Sequence, residues 1–232
     1  MLIVQDNPKS PVSEAYRTLR TNIQFSSFDN ELDTILVTSS GPSEGKSTTS
    51  SNLALSVAET GKNVLLIDCD LRKPSIHKKF NISNNKGLSN LLIGQFKFDD
   101  VAQKYTDNVC ILTSGTVPPN PSEMLASKKM KQFLEEARKI FDFIILDTPP
   151  VVAVTDAQLL STMVGGVLLV IAAGQAEIAA AEKAKELLEH VNANIIGVVI
   201  NKAEVTSGKK YGYYHYYYGE GKSKKKKGKK EK

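Results

Sequence analysis

Two cysteines in 232 residues leave no basis for a disulfide framework. Cys69 and Cys110 sit in apolar, strand-like contexts and read as reduced packing residues, as expected of a cytoplasmic protein. A long apolar run is missing too: no stretch approaches the ~20 residues needed to cross a bilayer. Asp6 and Pro8 interrupt a very short apolar start, which argues against a signal peptide. Any membrane contact is therefore expected to be peripheral or through a partner. Strong charge is also absent from the body of the chain. The net charge is +5, but the eight Lys and one Glu between Lys222 and Lys232 supply +7, leaving residues 1–221 at −2. The basicity belongs to a tail, and no nucleic-acid partner is expected of the body. What remains is a chain with 41% hydrophobic residues, long enough for one α/β domain with a large core.

That domain is organised around Ser39-Ser40-Gly41-Pro42-Ser43-Glu44-Gly45-Lys46-Ser47-Thr48-Thr49. The apolar run Thr34–Thr38 precedes it, and Leu53, Ala54, Val57 and Ala58 follow at helical spacing, so the stretch reads as strand, loop, helix. Successive backbone N–H groups and a helix N-terminus cradle phosphate oxygens, because both present unsatisfied donors. Gly41, Ser43, Glu44, Gly45, Lys46, Ser47 and Thr48 are the candidate nucleotide-binding residues. Lys46 is placed for the terminal phosphates and Ser47 for Mg²⁺. The usual pattern carries Gly five positions before Gly45, where this chain has Ser40.

Taken in order, residues 1–12 read as an extended lead-in, and Ser13 as the N-cap of a helix to about Ser26. Glu14, Arg17 and Arg20 fall three apart on that helix and form a charged stripe, a solvated face by spacing alone. Asn63–Asp68 reads as a buried strand of parallel type, delivering Asp68-Cys69-Asp70-Leu71-Arg72 at its C-terminal end. Ligands of open parallel sheets bind beyond such ends, so both carboxylates are expected beside the phosphate loop. Short helices are expected near Leu88–Ile93 and Asp99–Lys104, a strand at Val109–Thr113, and one helix from Ser122 to about Phe141. Phe143–Asp147 is a further apolar strand ending in an acid, followed by Thr148-Pro149-Pro150, and Asp156 is placed to cap the next helix. Gly166–Ala173 and Ile195–Ile200 complete the strands, with a helix from about Glu177 to Val191 between them. The fold expected is α/β, a doubly wound, mostly parallel sheet with helices on both faces.

The last strand ends in Asn201-Lys202-Ala203-Glu204. Asp at the fourth position would suggest guanine, and a GTPase would carry Gly three positions after Asp147, where Pro150 stands. Both are lacking, so Asn201 is expected beside adenine. Beyond it, Tyr211, Tyr213, Tyr214, Tyr216, Tyr217 and Tyr218 are six of the eight tyrosines. With no aliphatic periodicity, residues 208–232 read as a mobile tail following a domain of residues 1–207. The cluster fits a phosphorylation substrate better than an added strand.

Five elements in this order resemble the bacterial tyrosine kinases that regulate capsule and exopolysaccharide synthesis, in particular the stand-alone cytoplasmic catalytic subunits of Gram-positive bacteria. They are the loop through Gly45-Lys46-Ser47, Leu65–Arg72, Ile144–Pro150, the tyrosine cluster and Glu14-x-x-Arg17-x-x-Arg20. The resemblance implies ATP and Mg²⁺ as cofactors, with Lys46, Asp68, Asp70, Arg72 and Asp147 as catalytic residues and Ser47, Asp68 and Asp147 at the metal. Either Asp68 or Asp70 would take the tyrosine proton, and Arg72 would orient the acidic pair or steady phosphate charge. It further implies a homo-oligomeric ring with Glu14, Arg17 and Arg20 at the subunit interface and each tyrosine tail in the next subunit's site. The implied partners are a transmembrane activator, which would hold the kinase at the inner face of the plasma membrane, a cognate tyrosine phosphatase, and sugar-nucleotide or polysaccharide-synthesis enzymes as substrates. The competing reading is a partition- or septum-type ATPase that switches a dimer on DNA or membrane. Such ATPases carry a signature Lys where this chain has Ser40-Gly41, and they lack the tyrosine tail.

Overall fold

The structure is a computed structural model, and it describes residues 2–26 and 32–203. In chain order the elements are α1 (Ile3–Asp6), α2 (Pro11–Phe25), β1 (Thr34–Ser39), α3 (Lys46–Ala58), β2 (Val64–Asp68), α4 (Ile76–Phe80), α5 (Leu88–Leu92), α6 (Phe98–Val101), β3 (Ala102–Lys104), β4 (Val109–Leu112), α7 (Pro121–Leu125), α8 (Lys128–Ala137), β5 (Phe143–Asp147), α9 (Asp156–Ser161), β6 (Gly166–Ala172), α10 (Ile178–Glu189) and β7 (Ile195–Asn201).

The strands form one sheet in the order β3-β4-β2-β5-β1-β6-β7. Every pairing is parallel except that of the edge strand β3 with β4. Side chains alternate across a strand, so each central strand feeds two cores. Ile35, Val37, Val64, Leu66, Phe143 and Ile145 pack with Leu53 and Val57 of α3 on one face. Leu36, Leu65, Ile67, Ile144 and Leu146 pack with Leu134 of α8, Leu160 of α9 and Leu188 of α10 on the other. This is the doubly wound, mostly parallel architecture with helices on both faces expected from the sequence.

Five local expectations differ, one being that Thr155 holds the N-cap position of α9 and Asp156, expected to cap it, is its first residue. The lead-in is not extended throughout: Ile3–Asp6 form a helical turn, closed by the Leu2 N–H on Asp6 Oδ2, with Leu2 and Val4 buried. The N-cap of α2 is Ser10, whose hydroxyl accepts from the Ser13 N–H, and Pro11 takes the first helical position, where a missing N–H costs nothing. Ser13 is instead fully buried, its hydroxyl bonded to the Ile3 and Asn7 carbonyls, which ties α1 to α2. The helix expected over 122–141 breaks in two, because Ser127 caps a new start by accepting from the Met130 N–H. The helix expected over 99–104 ends at Val101, and Ala102–Lys104 pair with β4 as an edge strand.

Leu66 is fully buried between the sheet and α3. Leu66→Ala should cost about 2–5 kcal/mol of unfolding free energy by lost burial plus the cavity left behind. Denaturant titration checks this, and a loss below about 1 kcal/mol would show that the sheet–α3 face is not a packed core.

Candidate functional site

The phosphate loop runs from β1 into α3, and its shape is fixed mainly from within. Glu44 is buried, and its carboxylate accepts from the Ser40 hydroxyl and the Gly41 N–H at 2.5 Å each and from the Ala172 N–H at 3.2 Å. Ser40, where the usual pattern has Gly, thereby becomes a strut of the loop. Lys202 Nζ donates to the Ser43 carbonyl and Asn201 Nδ2 to the Glu44 carbonyl, at 2.7 and 2.8 Å. Gly45 adopts φ +99°, and a Cβ there would lie 2.0 Å from Asn201 Nδ2, so the close approach admits only glycine. The loop thus opens into the first turn of α3, where Lys46, Ser47 and Thr48 carry backbone N–H groups that a helix start leaves unpaired.

α3 is rich in residues of modest helix propensity, and several of its polar side chains bond back to the helix itself. The hydroxyls of Ser50 and Ser51 and the Asn52 amide donate to the carbonyls of Lys46, Ser47 and Thr48. Ser50 also donates to Asp147 Oδ1 at 3.0 Å, which fastens the helix start to the end of β5.

Asp68 and Asp147 end β2 and β5 at paired positions of the parallel ladder, so both side chains leave the sheet on the α3 face. Both are fully buried. Asp68 Oδ2 accepts from the N–H groups of Ser75 and Ile76, and Oδ1 from that of Asp70. Asp147 Oδ2 is buried, and among the described residues no formed hydrogen bond reaches it. Burial, and then the charge of Asp147, push the Asp68 carboxyl well above the usual range. Burial likewise raises Asp147, with Lys46 and the hydroxyls of Ser47 and Ser50 pulling it partly back. Asp70 approaches Lys46 Nζ at 3.7 Å and caps the following turn by accepting from the Lys73 N–H.

An orphaned buried carboxylate oxygen beside a hydroxyl and a lysine suits Mg²⁺, which takes one or two carboxylates and otherwise phosphate and water oxygens.

The structure brings Lys46, Ser47, Asp68, Asp70 and Asp147 together. The Arg72 guanidinium forks onto the buried Asp156 carboxylate at 3.1 and 3.2 Å. Glu44 faces inward, and Asn201 and Lys202 hold the loop's backbone. In the Glu14-Arg17-Arg20 stripe, Arg17 bonds Glu14 and forks onto Glu59, while Arg20 donates to the Ser56 carbonyl. The stripe therefore clasps the far end of α3 instead of facing only solvent. Residues Tyr211, Tyr213, Tyr214, Tyr216, Tyr217 and Tyr218, and the 207/208 boundary, lie outside the described residues. Sequence reading missed Lys79, whose half-buried ammonium donates to the Thr48 hydroxyl at 2.9 Å and is lowered in pKa by burial. It also missed Ser50, Asp156 and Ser122 as polar partners at the site. Ser50 had a legible signal: it lies one helical turn beyond Lys46 on the same face.

A family model described as a NUBPL iron-transfer P-loop NTPase, of the ParA group, matches residues 32–231. The tyrosine-protein kinase YwqD of Bacillus subtilis is 44% identical over 92% of this chain and 90% of its own length. A putative tyrosine-protein kinase, CapB of Staphylococcus aureus, is 42% identical over 92% of this chain and 94% of its own. The crystal structure of the chimerical protein CapA2B2 superposes with a TM-score of 0.84 at 41% identity, over 87% of this chain and 89% of that one.

Because Asp68 and Asp147 bind protons more readily folded than unfolded, their contribution to stability is complete below the unfolded carboxylate range, near pH 4, and is lost as pH rises towards neutrality. Nucleotide-free and metal-free protein should therefore melt at a lower temperature at about pH 8 than at about pH 5, and Asp147→Asn should flatten that slope. Equal slopes for the two proteins would show that the pair carries no such strain.

Proposed function

Since the chain belongs to the bacterial tyrosine-protein kinases of the capsule type, within the wider ParA-like P-loop NTPases, we propose that it moves the γ-phosphoryl group of ATP onto tyrosine hydroxyls, with its own cluster at Tyr211–Tyr218 as a substrate in trans. The observation that carries this reading is the placement of two buried carboxylates, in register on β2 and β5, against Lys46 and Ser47 at the start of α3.

Phosphoryl transfer leaves a protein little covalent work, so positioning and charge stabilisation dominate. The loop amides and Lys46 bind the β- and γ-phosphates, and Lys79, held by Thr48, adds positive charge beside them. Ser47 and Asp147 would hold Mg²⁺, with Asp68 beside it, and the ion would supply charge neutralisation at the phosphates. The tyrosine oxygen bonds to the γ-phosphorus while the bond to the β–γ bridging oxygen breaks and ADP leaves. Asp68 or Asp70 takes the phenol proton. A phenol titrates near pH 10, so that transfer helps chiefly as the new bond forms. Asn201 Nδ2 is committed to the loop, which leaves its side-chain oxygen for the amino group of adenine.

The same reading makes the protein one subunit of a ring, with Glu14, Arg17 and Arg20 at the joint. Among the described residues no helix is long and apolar enough to cross a membrane, which fits activation by a separate transmembrane protein at the inner face of the plasma membrane. A cognate phosphatase would reverse the modification, and sugar-nucleotide or polysaccharide-synthesis enzymes are the further substrates. A septum-type ATPase shares the fold, but the close relatives are named as kinases and the tyrosine cluster has no use in that reading.

Incubating the full chain with Mg-ATP, alone and with membranes holding the activator, should place phosphate on Tyr211–Tyr218 by mass spectrometry and none in Lys46→Met. ATP hydrolysis without phosphotyrosine under either condition would favour the cargo-positioning ATPase.

A further inference from the structure

Three loops on the C-terminal rim of the sheet meet in one polar clip. Asp156, the first residue of α9, is fully buried, and each of its oxygens accepts from Arg72, through Nε at 3.1 Å and Nη2 at 3.2 Å. Ser122, in the first turn of α7, donates to Asp156 Oδ1 at 2.6 Å and accepts from Arg72 Nη2 at 2.8 Å. The clip therefore joins the loop after β2 to the helices that follow β4 and β5. Burying a carboxylate for this carries a desolvation cost that an apolar contact between the same loops would avoid. What the clip achieves in addition is a fixed direction for a cation. Arg72 remains 38% exposed at its side chain, and no described residue bonds its Nη1.

Arg72 follows Asp70 by two residues, so the chain sets their Cα atoms at most about 7 Å apart. Asp70 in turn faces Lys46 at 3.7 Å. The loop after β2 thus carries both the carboxylate beside the phosphate loop and, two residues on, the clamped guanidinium. In the tail, Tyr213-Tyr214 and Tyr216-Tyr217-Tyr218 are consecutive, so each modified tyrosine has a further acceptor as an immediate sequence neighbour. A phosphotyrosine carries about −1.5 to −2 charges and three acceptor oxygens, the chemistry that an arginine edge recognises.

We propose that Arg72, aimed by Asp156 and Ser122, is a phosphotyrosine subsite next to the acceptor position, so that a tyrosine beside one already modified is the preferred substrate. The clip then turns the cluster from six independent acceptors into an ordered series. Asp156 and Ser122 act as positioning residues for Arg72. This rests on the kinase reading above, and its test separates the two.

The full chain is given two synthetic peptides of residues 209–219, one unmodified and one carrying phosphate on Tyr217, and transfer to each is followed by mass. Binding of both peptides is measured by calorimetry with ADP and Mg²⁺, where no transfer occurs. The wild type should show a KM and a Kd about tenfold lower for the phosphorylated peptide, the size of one good charge-assisted contact. Ser122→Ala should erase most of that preference, with KM for ATP and kcat on the unmodified peptide little changed; Arg72→Lys and Asp156→Asn should erase it too, read as the ratio between the two peptides whatever their overall rate. A purely structural clip would lower kcat on both peptides alike and leave the preference intact. Equal KM and Kd for the two peptides in the wild type, or an undiminished preference in Arg72→Lys, would overturn the subsite while leaving the kinase standing. No transfer to either peptide, together with equal binding, would overturn both.

Discussion

Two carboxylates held fully buried at paired positions on neighbouring strands, Asp68 on β2 and Asp147 on β5, set the terms for the rest of this site. The interior of a protein penalises an ionised carboxylate and penalises two together more, so the arrangement persists only because surrounding groups answer it. Asp68 is answered by three backbone N–H groups that pin the β2–α4 turn. Asp147 is answered on one oxygen by Ser50 and left open on the other. Among the described residues, that open oxygen is the acceptor of the pair left for a cation.

The phosphate loop depends on the same principle of internal satisfaction. Glu44 spans it with bonds to Ser40, Gly41 and β6, while Asn201 and Lys202 hold it from β7. Its donors are therefore aimed before any phosphate arrives, and little ordering is left to do on binding. α3 then links this loop to the Arg17–Glu59 clasp at its other end, so the charged stripe on α2 and the phosphate loop share one helix.

Much of this was legible from the order of residues alone, because the signals were local. Apolar runs closed by Asp68 and Asp147 fixed two strands and the side on which ligands bind. The Gly45-Lys46-Ser47 turn fixed the loop between β1 and α3. What the sequence hid were partnerships between distant residues. Nothing near Glu44 says that its carboxylate turns inward to Ala172, nor does the sequence around Arg72 point to Asp156, 84 residues away. Ser13 and Ser127 show the same limit at short range. Either serine can cap a helix, and the choice was decided by Pro11 fixing an earlier start in one case and by the side-chain bond to Met130 in the other.

Phosphoryl transfer here requires the open face of Asp147 to be a metal position serving the phosphate loop. Calorimetric titration of a non-hydrolysable ATP analogue, with and without Mg²⁺, into wild type and Asp147→Asn tests it without depending on phosphoryl transfer. Mg²⁺ should tighten binding to the wild type by at least about tenfold and barely affect the variant, while both bind the metal-free analogue comparably. A full Mg²⁺ enhancement retained in Asp147→Asn would contradict the account, because the ion would then be held elsewhere.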